Sequence, residues 1–165
     1  MITLILGGSR SGKSVYAEHL MAVKASPITY VATVHVGDDP DLSARVAAHR
    51  RRRPAEWRTV EAGRDLPALL ALTAGSVLLD SLGPWVAAHG KGDPVDATAL
   101  CRALCERSGD IVVVSEEVGM GVHPSSEAGR HFRDVLGSLN QAVAAVADDV
   151  FLVVAGRALR LDGAP

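Results

Sequence analysis

Eight consecutive residues, Gly7-Gly8-Ser9-Arg10-Ser11-Gly12-Lys13-Ser14, constrain this chain more than any other segment. They fit G-x-x-x-x-G-K-[ST], a loop whose glycines let the backbone curl until successive N–H groups face phosphate oxygens. Such a loop belongs between a buried strand and a helix, whose positive end adds to the field on the anion. Both neighbours are present. Ile2-Thr3-Leu4-Ile5-Leu6 is a short aliphatic and β-branched run, and residues 14–24 carry Tyr16, Leu20 and Val23 along one helical side. Gly7, Gly8, Ser9, Arg10, Ser11 and Gly12 are therefore expected to wrap the phosphates of a nucleotide. Lys13 is expected to reach the β- and γ-phosphates, and the Ser14 hydroxyl to ligate Mg²⁺.

Beyond the loop, apolar runs and helical patterns alternate. Strands are expected at 28–34, 57–61, 76–80, 111–115, 150–154 and 158–161. Helices are expected from Asp39 or Pro40 to before Pro54, and at 66–72, 95–106 and 127–147. A loop rich in Gly and Pro fills 116–126. This order implies an α/β chain with the P-loop (RecA-like) three-layer fold: a mostly parallel sheet, helices on both faces and a C-terminal antiparallel strand. With no repeat, low-complexity stretch or linker, residues 1–165 read as a single domain.

Formal net charge is −2, so no global attraction to nucleic acid or a membrane surface is implied. No apolar run approaches the roughly 18 residues of a membrane span. The longest, 142–154, is broken by Asp148 and Asp149. Met1 leads straight into the first strand with no basic leader, which reads as a soluble, cytoplasmic protein. Cys101 and Cys105 lie four apart on one helical face with no second ligand pair nearby, so both are expected to be small core residues. His19 and His131 fall on helices, and His35, His89 and His123 in loops. None shares metal-ligand spacing with an acid.

Two further features carry chemistry. Asp80 ends a buried strand, where open α/β sheets bind ligands, and is expected to hold Mg²⁺ directly or through water. His49-Arg50-Arg51-Arg52-Arg53-Pro54 closes a helix. Cations are favourable at a helix C-terminus, which accounts for one or two arginines, but four beside a histidine suit a polyanion such as a triphosphate. A neutral imidazole can also attack phosphorus and give a phosphoramidate. The residues alone leave His49 between these two roles. Glu61 can pair with an arginine or accept the N1–H and N2–H donors of guanine, and pairing is the simpler reading.

Several segments, in order and almost end to end, resemble the bifunctional adenosylcobinamide kinase/adenosylcobinamide-phosphate guanylyltransferase family of cobalamin biosynthesis. They are the phosphate loop, Tyr30-Val31-Ala32-Thr33, and Ala44-Arg45-Val46-Ala47-Ala48-His49-Arg50 with Arg53-Pro54. Next come Trp57-Arg58-Thr59-Val60-Glu61 and Leu78-Leu79-Asp80-Ser81-Leu82 with Trp85. The series continues with Glu117-Val118-Gly119-Met120-Gly121-Val122-His123-Pro124, and with Phe132-Arg133-Asp134 followed by Leu139-Asn140-Gln141. It closes on Val153-Val154-Ala155-Gly156.

The resemblance implies phosphorylation of adenosylcobinamide by GTP or ATP, then transfer of GMP from GTP onto that phosphate. It implies a guanylyl-histidine at His49 and nucleotide contacts from Arg50, Arg51, Arg52, Arg53, Glu61 and Asp80. It also implies Thr33 lining the pocket, Glu61 reading guanine, and a homotrimer. Glu116 stands where the family usually carries Asn, and the segment after Trp85 lacks the usual asparagine. Two other readings stay open on the residues alone: a monofunctional small-molecule P-loop kinase, and a nucleotide-dependent binding module.

Overall fold

The computed structural model describes residues 1–25, 27–34, 40–90 and 93–163, so His35 and Asp39 lie outside the described residues. In chain order the elements are β1 Ile2–Gly7, α1 Lys13–Ala22, β2 Ile28–Ala32, α2 Pro40–Arg52, β3 Arg58–Glu61, α3 Leu66–Leu72 and β4 Ser76–Asp80. There follow α4 Leu82–Ala87, α5 Ala97–Glu106, β5 Ile111–Glu116, α6 Glu127–Val146, β6 Asp149–Val154 and β7 Arg157–Leu161. The strands form one seven-stranded sheet in the order β3-β2-β4-β5-β1-β6-β7. Every pairing is parallel except β6 with β7.

Alternation along the strands sends side chains to two cores. Leu4, Val31, Val77, Leu79, Ile111 and Val113 face one side, where α3, α4, α5 and α6 supply Leu70, Trp85, Leu104 and Leu136. Ile5, Tyr30, Leu78, Val112, Val114 and Val153 face the other, against Ala17 and Met21 of α1 and against Trp57. The central strands are thus apolar on both faces, which is why they read as near-continuous aliphatic runs. Helix starts follow local chemistry. Asp65, Asp96 and Ser126 each accept a hydrogen bond from the backbone N–H three residues on. Among the described residues no helix is long and apolar enough to cross a membrane.

Two expectations need correction. Helix α4 went unread because its six residues include Gly83 and Pro84, which mark a turn rather than a helix. Cys105 is exposed and Cys101 only partly buried. The buried face of α5 is instead Leu100, Ala103 and Leu104.

Two long-range contacts set the carboxyl edge of the sheet. The β6–β7 turn, with Ala155 and Gly156 both at positive φ, donates from Gly156 N–H to the Ser11 carbonyl at 2.8 Å. The C-terminal hairpin therefore braces the phosphate loop from behind. A Cβ at Gly7 would stand 2.7 Å from the Val153 carbonyl oxygen, so this close approach requires glycine. On the opposite face buried Asn140 of α6 accepts from the Ser115 hydroxyl at 2.6 Å and donates to the Glu116 carbonyl at 3.1 Å. Asn140→Ala would leave both partners unpaired. It is expected to cost about 1–3 kcal/mol of stability, read as a lower denaturant midpoint at unchanged slope.

Candidate active site

β1, β4 and β5 end side by side at the carboxyl edge of the sheet, and the loop after β1 curls over them. Arg10 and Gly12 take positive φ (58° and 95°), which lets the chain double back into α1. Lys13 is nearly buried, with its ammonium 3.3 Å from the Gly8 carbonyl and 3.6 Å from Glu116 Oε1. Glu116 is itself fixed by the Ser81 hydroxyl at 2.8 Å and the Gly83 N–H at 2.9 Å. The lysine is thus folded back on its own loop and on the end of β5.

Asp80, at the end of β4, joins three other elements. Its Oδ1 accepts from the Ser14 hydroxyl at 3.3 Å, and its Oδ2 accepts from the Tyr30 hydroxyl at 2.9 Å and lies 3.7 Å from His49 Nδ1. Burial pushes the Asp80 carboxyl up, but hydrogen bonds from His49, Tyr30 and Ser14 outweigh it and hold the group below the usual carboxylate range. The Tyr30 hydroxyl is pushed well up by burial and by the Asp80 charge, so it stays a donor. Ser14 Oγ and Asp80 Oδ1 are hard oxygens within reach of one small cation, and the second is charged, so the pair fits Mg²⁺. Among the described residues there is no group of three or more His, Cys, Asp and Glu that could hold a metal. Remaining ligands would have to be phosphate oxygens and water.

The basic end of α2 does not act as one patch. Arg53 stacks on Tyr30, its guanidinium carbon 3.6 Å from the ring centroid, and reaches the Thr59 hydroxyl at 3.3 Å. Arg52 grips Glu18 of α1 through two bonds of 3.2 and 3.3 Å. Arg50 approaches Glu61 at 3.6 Å with both side chains largely in solvent. A cleft of about 600 Å³ gathers Arg10, Ser11, Gly12, Lys13, Ser14, His49, Arg50, Arg52, Arg53, Glu61 and Asp80. Tyr30, Thr59 and Glu116 also line it. Of these Tyr30 and Thr59 went unread as site residues, because neither residue type signals a phosphate site by itself.

Gly7, Gly8, Ser9, Arg51 and Thr33 do not line the cleft. Arg51 is exposed on α2. Thr33 corrects the expectation of a pocket-lining residue: it is buried and spends its hydroxyl on the Ser81 backbone, accepting from N–H at 3.0 Å and donating to the carbonyl at 2.5 Å. It fixes the exit of β4 beside the site. A second cleft of about 620 Å³, between α6 and the β6–β7 hairpin, contains none of the expected site residues.

A phosphate reaching Lys13 would have to compete with the Glu116 carboxylate. Glu116→Gln keeps the size but removes that charge, and is expected to tighten triphosphate binding about threefold to tenfold, the scale of one partly exposed ion pair. Equilibrium titration with a fluorescent nucleotide measures it, and unchanged or weaker binding would contradict the competition.

Residues 3–161 match the family described as cobinamide kinase / cobinamide phosphate guanyltransferase. The chain is 38% identical to the bifunctional adenosylcobalamin biosynthesis protein CobU of Salmonella typhimurium, over 98% of this chain and 99% of that protein. It is 40% identical to the corresponding CobP protein of Pseudomonas aeruginosa, over 100% and 99%. CobU of Escherichia coli is 37% identical, over 98% and 99%. A solved structure described as a prototypical ATPase of the type III secretion system of pathogenic bacteria superposes with a TM-score of 0.59 at 16% identity. That match covers 92% of this chain and 50% of the ATPase, and it supports the P-loop α/β fold alone. With a phosphate loop, a strand-end acid and a histidine in one cleft, and relatives of this similarity matched along nearly their whole length, this chain belongs to the cobinamide kinase / cobinamide phosphate guanyltransferase family.

Proposed function

We propose that this chain is a two-step transferase, phosphorylating adenosylcobinamide with GTP or ATP and then joining GMP from GTP to that phosphate through a guanylyl-histidine at His49. One observation carries the reading. His49 shares the Asp80 carboxylate with Ser14 of the phosphate loop, so a nucleophile for phosphorus and a triphosphate cradle face one cleft.

In the first step the acceptor hydroxyl oxygen bonds to the γ-phosphorus, the bond from the γ-phosphorus to the β,γ-bridging oxygen breaks, and the nucleoside diphosphate leaves. Backbone N–H groups of the loop and Lys13 hold the transferred group, and the hydroxyl proton passes to solvent. In the second step the free ring nitrogen of His49 donates its electron pair to the α-phosphorus of GTP, and pyrophosphate leaves with the electrons of the α–β bridge. An oxygen of cobinamide phosphate then attacks the same phosphorus, and the P–N electrons return to His49. Arg50 and Arg53, which line the same cleft, would neutralise the departing pyrophosphate. Mg²⁺, held by Ser14 and Asp80, would neutralise phosphate charge in both steps. Glu61, already in reach of Arg50, offers a carboxylate to the N1–H and N2–H donors of guanine.

Incubation with GTP labelled at the α-phosphate is expected to leave an acid-labile, alkali-stable GMP adduct that His49→Ala abolishes. Lys13→Ala, which removes the phosphate-holding cation, is expected to lower both half-reactions at least about 100-fold, the scale of losing one preorganised charge at a transferring phosphate. An adduct that persists in His49→Ala would sink the histidine assignment.

A further inference from the structure

A bound nucleotide occupies one cleft and leaves the acceptor without a place. The cleft beside the phosphate loop measures about 600 Å³, a volume that one ligand the size of a nucleoside triphosphate fills. Cobinamide is larger: a corrin macrocycle with apolar faces, rimmed by amide arms, one of which ends in the hydroxyl to be phosphorylated. Its bulk must rest outside that cleft, close enough for the arm to reach the phosphates.

The second cleft, of about 620 Å³, has that position. Tyr30 of the nucleotide cleft packs with the α1 core, whereas Leu6 and Val118 of the second cleft pack with the α6 core, so the two lie on opposite faces of the sheet. At the end of β5 successive residues divide between them, Glu116 lining the first and Glu117 the second. The Glu117 N–H donates to the Gly7 carbonyl at 3.1 Å, so the rim between the clefts is the root of the phosphate loop. Leu6 and Val118 give the second cleft apolar wall, and Gln141 adds an amide that can both donate and accept. Apolar walls with a few polar groups are the lining of a small-molecule site.

Gly137 is an independent sign. It stands in the middle of α6, a 20-residue helix, where glycine is weaker than alanine. Packing does not demand it, because no neighbouring group lies within 4 Å of where its Cβ would stand. The missing side chain keeps the α6 wall of the second cleft open. A second copy of this chain fits the space less well. Stable association needs roughly 800 Å² of complementary surface on each partner, and the lining includes Asp148 and Asp162, a residue type depleted from interface cores.

We infer that the second cleft binds the acceptor, taking the edge of the corrin between α6 and the C-terminal hairpin while the hydroxyl-bearing arm crosses the root of the phosphate loop. This rests on the cobinamide reading above. Nucleotide and corrin then sit on opposite faces of the sheet, and only the arm enters the nucleotide cleft, first as a hydroxyl and then as a phosphate. One seat for the corrin serves both transfers, since the arm alone has to shift from the γ- to the α-phosphorus.

The test fills the cleft in steps with Gly137→Ala, Gly137→Leu and Gly137→Phe, beside Gln141→Ala, a substitution at an exposed position of the same helix. Three quantities are measured: KM for adenosylcobinamide in phosphoryl transfer, GMP-adduct formation from GTP without acceptor, and molecular mass in solution. The acceptor KM is expected to rise with side-chain size, at least about 30-fold at Phe, as a clash built into a ligand's space should produce. Gln141→Ala is expected to raise it about threefold to tenfold, the scale of one hydrogen bond. Adduct formation is expected to stay within about threefold of wild type, because that half-reaction uses no acceptor. An acceptor KM unmoved in both Gly137→Phe and Gln141→Ala, or adduct formation that falls in step with acceptor use, would overturn the inference while leaving the two-step reading in place. So would a changed mass, which would assign the cleft to a second copy. A wild-type chain that transfers no phosphate to adenosylcobinamide would overturn both.

Discussion

The carboxylate of Asp80 holds the functional edge of the sheet together. Three hydrogen-bonding groups from separate elements converge on it: the Ser14 hydroxyl at the start of α1, the Tyr30 hydroxyl on β2 and the His49 ring at the end of α2. A carboxylate with its side chain only 10% exposed is expensive unless its lone pairs are used, and here each oxygen is. The energetic requirement of that one buried charge thus fixes the relative placement of the phosphate loop, the stacking platform for Arg53 and the histidine. Thr33 completes the arrangement from below by locking the backbone of Ser81, the residue after Asp80.

Much of this was legible in the residues. A G-x-x-x-x-G-K-[ST] loop after a buried strand specifies a backbone conformation, and Gly12 takes the left-handed turn that the spacing implies. Central strands were readable because β-branched apolar runs of this length, bounded by turn residues, are too short for a typical buried helix. The terminal hairpin was readable too, since Ala155-Gly156 supplies the left-handed pair that a tight two-residue turn demands. What no local pattern carried was the use of that hairpin: the Gly156-to-Ser11 bond spans nearly the whole chain.

The basic run at the end of α2 shows where sequence adjacency misleads. Residues on a helix are separated by 100°, so four successive arginines cannot share a face. The structure accordingly spreads them: Arg53 onto Tyr30, Arg52 onto Glu18, Arg50 toward Glu61 and Arg51 to solvent. Glu18 went unread for the opposite reason. One glutamate in a short helix looks solvated, and only the tertiary approach of α1 and α2 shows that it is enclosed. The charges that matter most here are those with partners in another element, and such partners are invisible to a window of sequence.

Lys13 adds a constraint of its own. An ammonium buried to this degree cannot be left without a partner, because the penalty for an uncompensated charge exceeds the worth of most single interactions. Glu116 and the Gly8 carbonyl satisfy it in the protein as it stands. A bound triphosphate would exchange one anion for another rather than create a charge pair from nothing, so the affinity gained is a difference between two ion pairs. That difference is larger when the competing carboxylate is mobile and solvated, and smaller when it is fixed, as Glu116 is by Ser81 and Gly83. The acid at the end of β5 is therefore expected to lower nucleotide affinity while keeping the lysine in place, and both expectations follow from a single 3.6 Å contact.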